Sequence, residues 1–359
     1  MNHQTFRGVQ ALRGLAALSV MLFHFRWNIN GLSAGLGDRL FGWGATGVDL
    51  FFLISGFVIA ISAANTPASL LGALGFLKKR LVRILPAYYI ILLLTFLLGG
   101  AMSTFHYPEK VANLISAITF SPVEKEHAPF YVDDSASFGI RWTLNYEIYF
   151  YLVVGVLLAM PFRWVCIFSF FFLTLISLPV LSGKEITLSP AGYDFGSPWI
   201  NLFTNPMIFL FLSGLLLGKA LPYINMIKPC IMTGLLLVAV MGCFWLFHNN
   251  HFVGHGLLNS GWIYLLILTF CVGAERHIGN YIPELLVRLG DISYSLYLIH
   301  TLMNNGLGKR LESLGIETGM SRFLLSIILS VVLSWLFWKF IERPILKGNV
   351  LNRRSLAVR

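Results

Sequence analysis

Charge is what this chain has least of. Aspartate and glutamate number 16 and lysine and arginine 26, so 12% of residues are charged against 57% hydrophobic. At a mean hydropathy of +0.74, such a chain has too little polar surface to face water on all sides, which excludes a soluble globular domain. Cysteine is scarce as well. Cys166, Cys230, Cys243 and Cys271 fall in or at the ends of apolar runs with no CxxC spacing, which argues against a disulfide framework or a thiolate zinc site. No small-residue cleavage site follows the first apolar run, so that run reads as a retained span and not a removed signal peptide. Internal repeats, low-complexity tracts and flexible linkers are missing too, which leaves a single transmembrane domain over residues 1–359. The net charge of +10 would suggest nucleic acid in a soluble protein. Here it reflects membrane topology, and no nucleic-acid partner is expected.

What is present is a series of apolar runs of membrane length. Ten can be drawn: 11–27, 45–64, 81–101, 142–160, 163–181, 204–221, 230–247, 257–273, 289–305 and 322–341. Each approaches the about 20 residues that cross a hydrocarbon core, and helices satisfy their own backbone in lipid. The expected fold is an all-α integral membrane bundle of about ten transmembrane helices. Lys78, Lys79, Arg80 and Arg83, then Arg163, Lys219, Lys228, Arg276 and Arg288, and finally Arg343, Lys347, Arg353, Arg354 and Arg359 all fall on one side of that bundle. The positive-inside rule then puts both termini in the cytoplasm. The other side collects the longer connections 28–44, 102–141, 182–203, 248–256 and 306–321. The segment 102–141 is too long for a hairpin turn, and it is expected to fold back over the outer surface and shape an acceptor site.

Topology assigns a depth to each polar residue inside the spans. Arg13 opens the run LRGLAALSVMLFHF and His24 closes it. Eleven residues apart, they share a helix face and stand roughly 16 Å apart along the axis. Ionisable residues at such depth are costly enough to imply a role. His24, Asp49, Glu147 and His300 gather towards the outer leaflet, where a neutral imidazole beside a carboxylate could take a proton from a hydroxyl. Asp49 could equally cap its helix. Glu147 sits about a turn into an apolar helix beside Trp142 and Thr143, where an idle charge is expensive. Ser293, Tyr297 and His300 make one polar stripe, which either lines a cavity or knits two helices. At the inner ends lie Arg13, Arg80, Arg83, Glu342 and Arg343. Arg80 and Arg83 are neighbours on one helical face and suit a phosphate or pyrophosphate, although KKR at a membrane boundary also serves as a topology anchor or lipid-headgroup contact. Glu342 could neutralise Arg13.

LRGLAALSVMLFHF with its Arg-to-His spacing, GVDLFFLISGF, the RLVR pair, WTLNYEIYFYL, SYSLYLIH and IERP, in this order from residue 8 to about 345, resemble the acyltransferase-3 family of integral membrane O-acyltransferases. The chain is similar to the standalone type without an extracytoplasmic hydrolase-like domain, with a short basic tail after the last span. The resemblance implies a bacterial inner-membrane enzyme that moves an acyl group, foremost acetyl, from cytoplasmic acetyl-CoA to a hydroxyl of a surface polysaccharide or lipid-linked glycan. It implies His24 as catalytic base, Arg13 as its companion, and Arg80 and Arg83 as partners of the CoA phosphates. Trp142 and Glu147 fall in the acyl-transfer motif, and Asp49, His300 and Glu342 in further motifs. No metal is expected. A direct transfer and an acyl-histidine intermediate both remain open, as does the oligomeric state. A multi-helix transporter or flippase of a glycan or small molecule is the alternative, disfavoured because no repeated halves and no paired Gly/Pro-broken spans are present.

Overall fold

The computed structural model describes residues 6–98, 101–124, 126–132, 139–305 and 311–348. Every regular element among them is helical. The main helices are α1 (Arg7–Phe25), α2 (Gly47–Ala64), α3 (Leu70–Leu98), α4 (Arg141–Leu157), α5 (Arg163–Phe172), α6 (Ile208–Ile224), α7 (Pro229–His248), α8 (Trp262–Ile278), α9 (Ser293–Asn305) and α10 (Met320–Phe337). Eight helical stretches among the described residues are long and apolar enough to cross a membrane. The two that fall short are α4 with 17 residues and α9 with 13 described residues. Positions 349–359, including Arg353, Arg354 and Arg359 of the basic tail, lie outside the described residues.

One boundary differs from expectation. The third helix begins at Leu70, not near residue 81, so Lys78, Lys79, Arg80 and Arg83 lie on a continuous helix and not in a loop. Leu, Ala, Lys and Arg are all good helix formers. Hydropathy marks the lipid-immersed part of a helix, whereas the helix itself runs on.

Helix α1 starts without a side-chain cap of its own. Glu275 on α8 supplies one from across the chain, accepting the backbone N–H of Arg7 at 2.7 Å and of Gly8 at 3.0 Å. That carboxylate satisfies donors that a helix leaves open and complements its positive end. At the centre of the bundle α2 and α6 approach backbone to backbone. A Cβ on Gly56 would stand 2.0 Å from the Phe211 carbonyl oxygen, and one on Gly214 would stand 2.0 Å from that of Leu53. Glycine at both places is a steric requirement, and it lets Phe52 stack on Phe211 with centroids 4.3 Å apart. On α10 the buried Ser326, Ser330 and Ser334 recur every four residues, the small-residue spacing that lets membrane helices pack closely.

The long connection after α3 holds a helix, Pro108–Thr119, bound tightly to the bundle. Tyr88 and Tyr89 donate to the carbonyls of Ala117 and Ile118 at 2.7 and 2.8 Å. The fully buried Arg141 reaches Asn113 at 3.1 Å and Ser116 at 3.3 Å. Further on, Tyr146 donates to the Pro129 carbonyl at 2.8 Å, which brings Phe130 against Trp142, with centroids 4.9 Å apart.

Candidate functional site

An open cavity with an empty volume of about 780 Å³, mouth included, is lined by residues of α1, α2, α3, α4 and α9. Its wall on α2 extends from Val48 to Val58, ten residues and therefore about 15 Å of helix. The site is thus a slot. At one end Arg80 donates to the Val58 carbonyl at 3.2 Å and stands over the rings of Phe76 and Tyr151 at 5.5 and 5.7 Å. Arg13 and Arg83 line the same cavity. The sequence-predicted arginines therefore converge. Towards the other end lie Val48 and Thr143, with the Tyr297 hydroxyl 2.8 Å from that of Thr143. Phe51, Phe52 and Leu144 form apolar walls.

Glu147 also faces this slot, but not beside His24. Its Oε1 accepts a hydrogen bond from Ser55 at 3.0 Å and another from the Tyr151 hydroxyl. The sequence grouped Glu147 with His24. The reason for the difference is one helical turn, which carries Glu147 from the Thr143 level towards the arginines. Tyr151 was legible as its i+4 neighbour, and Ser55 stands in GVDLFFLISGF. Nor does Glu342 pair with Arg13. It accepts from Ser295 at 2.5 Å, while Arg13 donates to Gln10 at 3.1 Å. Among the described residues no ion pair joins Arg13 to Glu342.

His24, in the last turn of α1, meets His300 of α9 with ring centroids 4.9 Å apart. His300 is fully buried. Its Nδ1 lies 3.1 Å from the Leu296 carbonyl, so it is the protonated nitrogen. The remaining nitrogen, Nε2, has no hydrogen-bond partner among the described residues, and the same holds for the Ser293 hydroxyl. Tyr297 joins this pair to the slot, its ring centroid 5.8 Å from that of His300. The polar stripe Ser293, Tyr297 and His300 lines a cavity at its first two members and packs against the candidate base at its third.

Asp49 is committed elsewhere. Fully buried, it accepts from His255 Nδ1 at 2.8 Å on Oδ1, and from the Gly256 N–H and the Ser260 hydroxyl, each at 2.7 Å, on Oδ2. Neither expected carboxylate, Asp49 or Glu147, bonds to His24. Gly256 holds φ at 101° in the turn that leads into α8, a backbone conformation glycine adopts at little cost. His255 carries no sign of this role in its own stretch of sequence, because its partner lies 206 positions away. The only local signal was a polar HGLLNS stretch ahead of an apolar run. Trp142 stands edge-on to His255 at 5.8 Å. Among the described residues no group of three or more His, Cys, Asp and Glu side chains is arranged to hold a metal ion.

A family model described as an acyltransferase domain, that of the acyltransferase-3 family, matches residues 6–339. The chain is 27% identical over 330 residues to the exopolysaccharide production protein ExoZ of Rhizobium meliloti (strain 1021), covering 86% of this chain and 92% of that protein. It is 26% identical over 371 residues to nodulation protein 10 of Rhizobium leguminosarum bv. viciae, covering 96% and 95%. With the peptidoglycan O-acetyltransferase OatA of Listeria monocytogenes the identity is 25% over 374 residues, 96% of this chain but 56% of the longer relative. No solved structure matches the chain.

Proposed function

The chain belongs to the acyltransferase-3 family, and on that footing we propose that it transfers an acyl group, foremost acetyl, from cytoplasmic acyl-CoA to a hydroxyl of a surface or exported glycan. The protein is an O-acyltransferase. Its acceptor class follows the relatives whose names concern exopolysaccharide and peptidoglycan. In this reading α4 and α9 join the eight longer stretches to make ten spans, and both termini face the cytoplasm of a bacterial inner membrane, as the Lys and Arg distribution favours.

The observation that carries the reading is the slot itself, with three guanidiniums at one end and the Thr143 and Tyr297 hydroxyls at the other. Arg13, Arg80 and Arg83 fit the phosphates of a nucleotide, since guanidinium binds phosphate through paired charged hydrogen bonds. The about 15 Å of helix between the two ends suits an extended pantetheine arm. Acyl-CoA bound there would supply the acyl group as an activated thioester. His24 takes the proton of the acceptor hydroxyl as its oxygen bonds the acyl carbon. The same imidazolium returns that proton to the sulfur as the carbon–sulfur bond breaks. His300, packed against the His24 ring, holds it in orientation, the part sequence reading gave to a carboxylate.

Replacing His24 with Ala at unchanged membrane level tests this. General-base catalysis contributes about 10²- to 10⁴-fold, so glycan O-acetyl measured by mass spectrometry falls to the level of a deletion strain. Full acetylation would overturn the base assignment.

A further inference from the structure

We propose that His255, held by Asp49, receives the acceptor saccharide, its Nε2 accepting a hydrogen bond from a sugar hydroxyl while Trp142 and Phe130 flank the sugar. The proposal rests on a glycan being the acceptor.

The two oxygens of Asp49 have separate tasks. Oδ2 ties down the backbone by taking the Gly256 N–H and the Ser260 hydroxyl, both at 2.7 Å. Oδ1 is given to His255 Nδ1 at 2.8 Å. Because His255 precedes Gly256, the carboxylate fixes the segment ahead of α8 and the orientation of this imidazole together. A carboxylate can only accept, which makes Nδ1 the donor and leaves Nε2, on the far side of the ring from Asp49, as the atom that meets a ligand. Exposure follows the same polarity. The Asp49 side chain is 0% exposed and that of His255 17%, so the orienting end is sealed while the ring reaches the surface.

The surroundings suit a saccharide. Trp142 and Phe130 stand nearly perpendicular to the His255 ring, at 5.8 and 6.5 Å, and to each other at 4.9 Å. Aromatic walls with one fixed acceptor offer a sugar an apolar surface for its C–H groups and a partner for its hydroxyl. Trp142 precedes Thr143, which lines the slot at the end away from the arginines. The corner therefore adjoins the place where the acyl carbon would be delivered. His24 acts on the reacting hydroxyl and His255 on another, with Asp49 positioning through His255.

The test is steady-state transfer by the full chain in proteoliposomes, with acetyl-CoA as donor and envelope polysaccharide from a deletion strain as acceptor. His255→Asn keeps a donor for Asp49 and removes the nitrogen at the Nε2 position. We expect its acceptor KM to rise about tenfold, as for the loss of one hydrogen bond, with donor KM and thermal stability unchanged. Phe130→Ala, which leaves the Asp49 bonds intact, shifts the acceptor KM in the same direction. A wild-type acceptor KM in both variants would overturn the proposal. So would equal rises in donor and acceptor KM with lowered stability, the mark of a structural tether. If wild-type vesicles transferred no acetyl to the polysaccharide, the glycan reading itself would fail, and the proposal with it.

Discussion

The reciprocal backbone approach of α2 and α6 gives the sharpest structural prediction. Replacing Gly56 or Gly214 with Ala puts a carbon 2.0 Å from a carbonyl oxygen of the facing helix. Relief to the about 3.3 Å at which carbon and oxygen meet without clash requires α2 and α6 to part by about 1.3 Å. A gap of about 0.5–1 Å already forfeits a quarter to a half of each dispersion contact across it, and the Phe52–Phe211 stack lies in that seam. With the usual cost of overpacking, each substitution destabilises by about 2–3 kcal/mol. For a chain of this size, at about 2.1 cal/mol/K of unfolding entropy per residue, that lowers Tm by about 3–4 °C, measured in detergent at a fixed scan rate. The double variant loses less than the sum, since the first methyl opens the gap that the second needs. An unchanged Tm in either single variant, or strict additivity, would refute the reasoning.

Two further outcomes follow. Arg80→Gln and Arg83→Gln each raise the donor KM about tenfold or more, the value of a charged hydrogen bond, without moving the acceptor KM; an unchanged donor KM would make them topology anchors. Glu284 lies 3.1 Å from Arg7 and 3.4 Å from Arg288, and Arg7 first, then Arg288, holds its carboxyl below the usual range. Its stabilising effect is therefore present above the unfolded value of about 4.3 and lost as pH falls through the lower folded value. Glu284→Gln lowers Tm at neutral pH, and its deficit closes on acidification; a deficit that persists in acid would refute the assignment.

Much of the architecture was legible because lipid imposes it. Apolar runs had to be helices, and the shared face of Arg13 and His24 follows from helical pitch alone. The convergence of Arg13, Arg80 and Arg83 was open to inference, since all three stand near the same end of their spans. Pairings between helices were not. Residues at similar depth on different helices have many possible neighbours, and only packing decides among them. Glu147 turned towards Ser55 and Tyr151, Asp49 towards His255, and His24 met an imidazole where a carboxylate was expected. The start of α3 at Leu70 was hidden for another reason, because a helix that leaves the membrane keeps its hydrogen bonds while losing its hydropathy.

The Glu275 cap on α1 makes that helix a strut of fixed length. One end is pinned through the backbone of Arg7 and Gly8, and the other abuts His300. Inserting a single residue between Arg13 and His24 would advance the far end by about 1.5 Å and swing it through about 100°, taking the imidazole off its partner while leaving the guanidinium where it was. Leu15, the one exposed side chain of α1, can change at little cost. The number of peptide units between Arg13 and His24 cannot, so in this bundle the spacing of the two side chains is written in residue count.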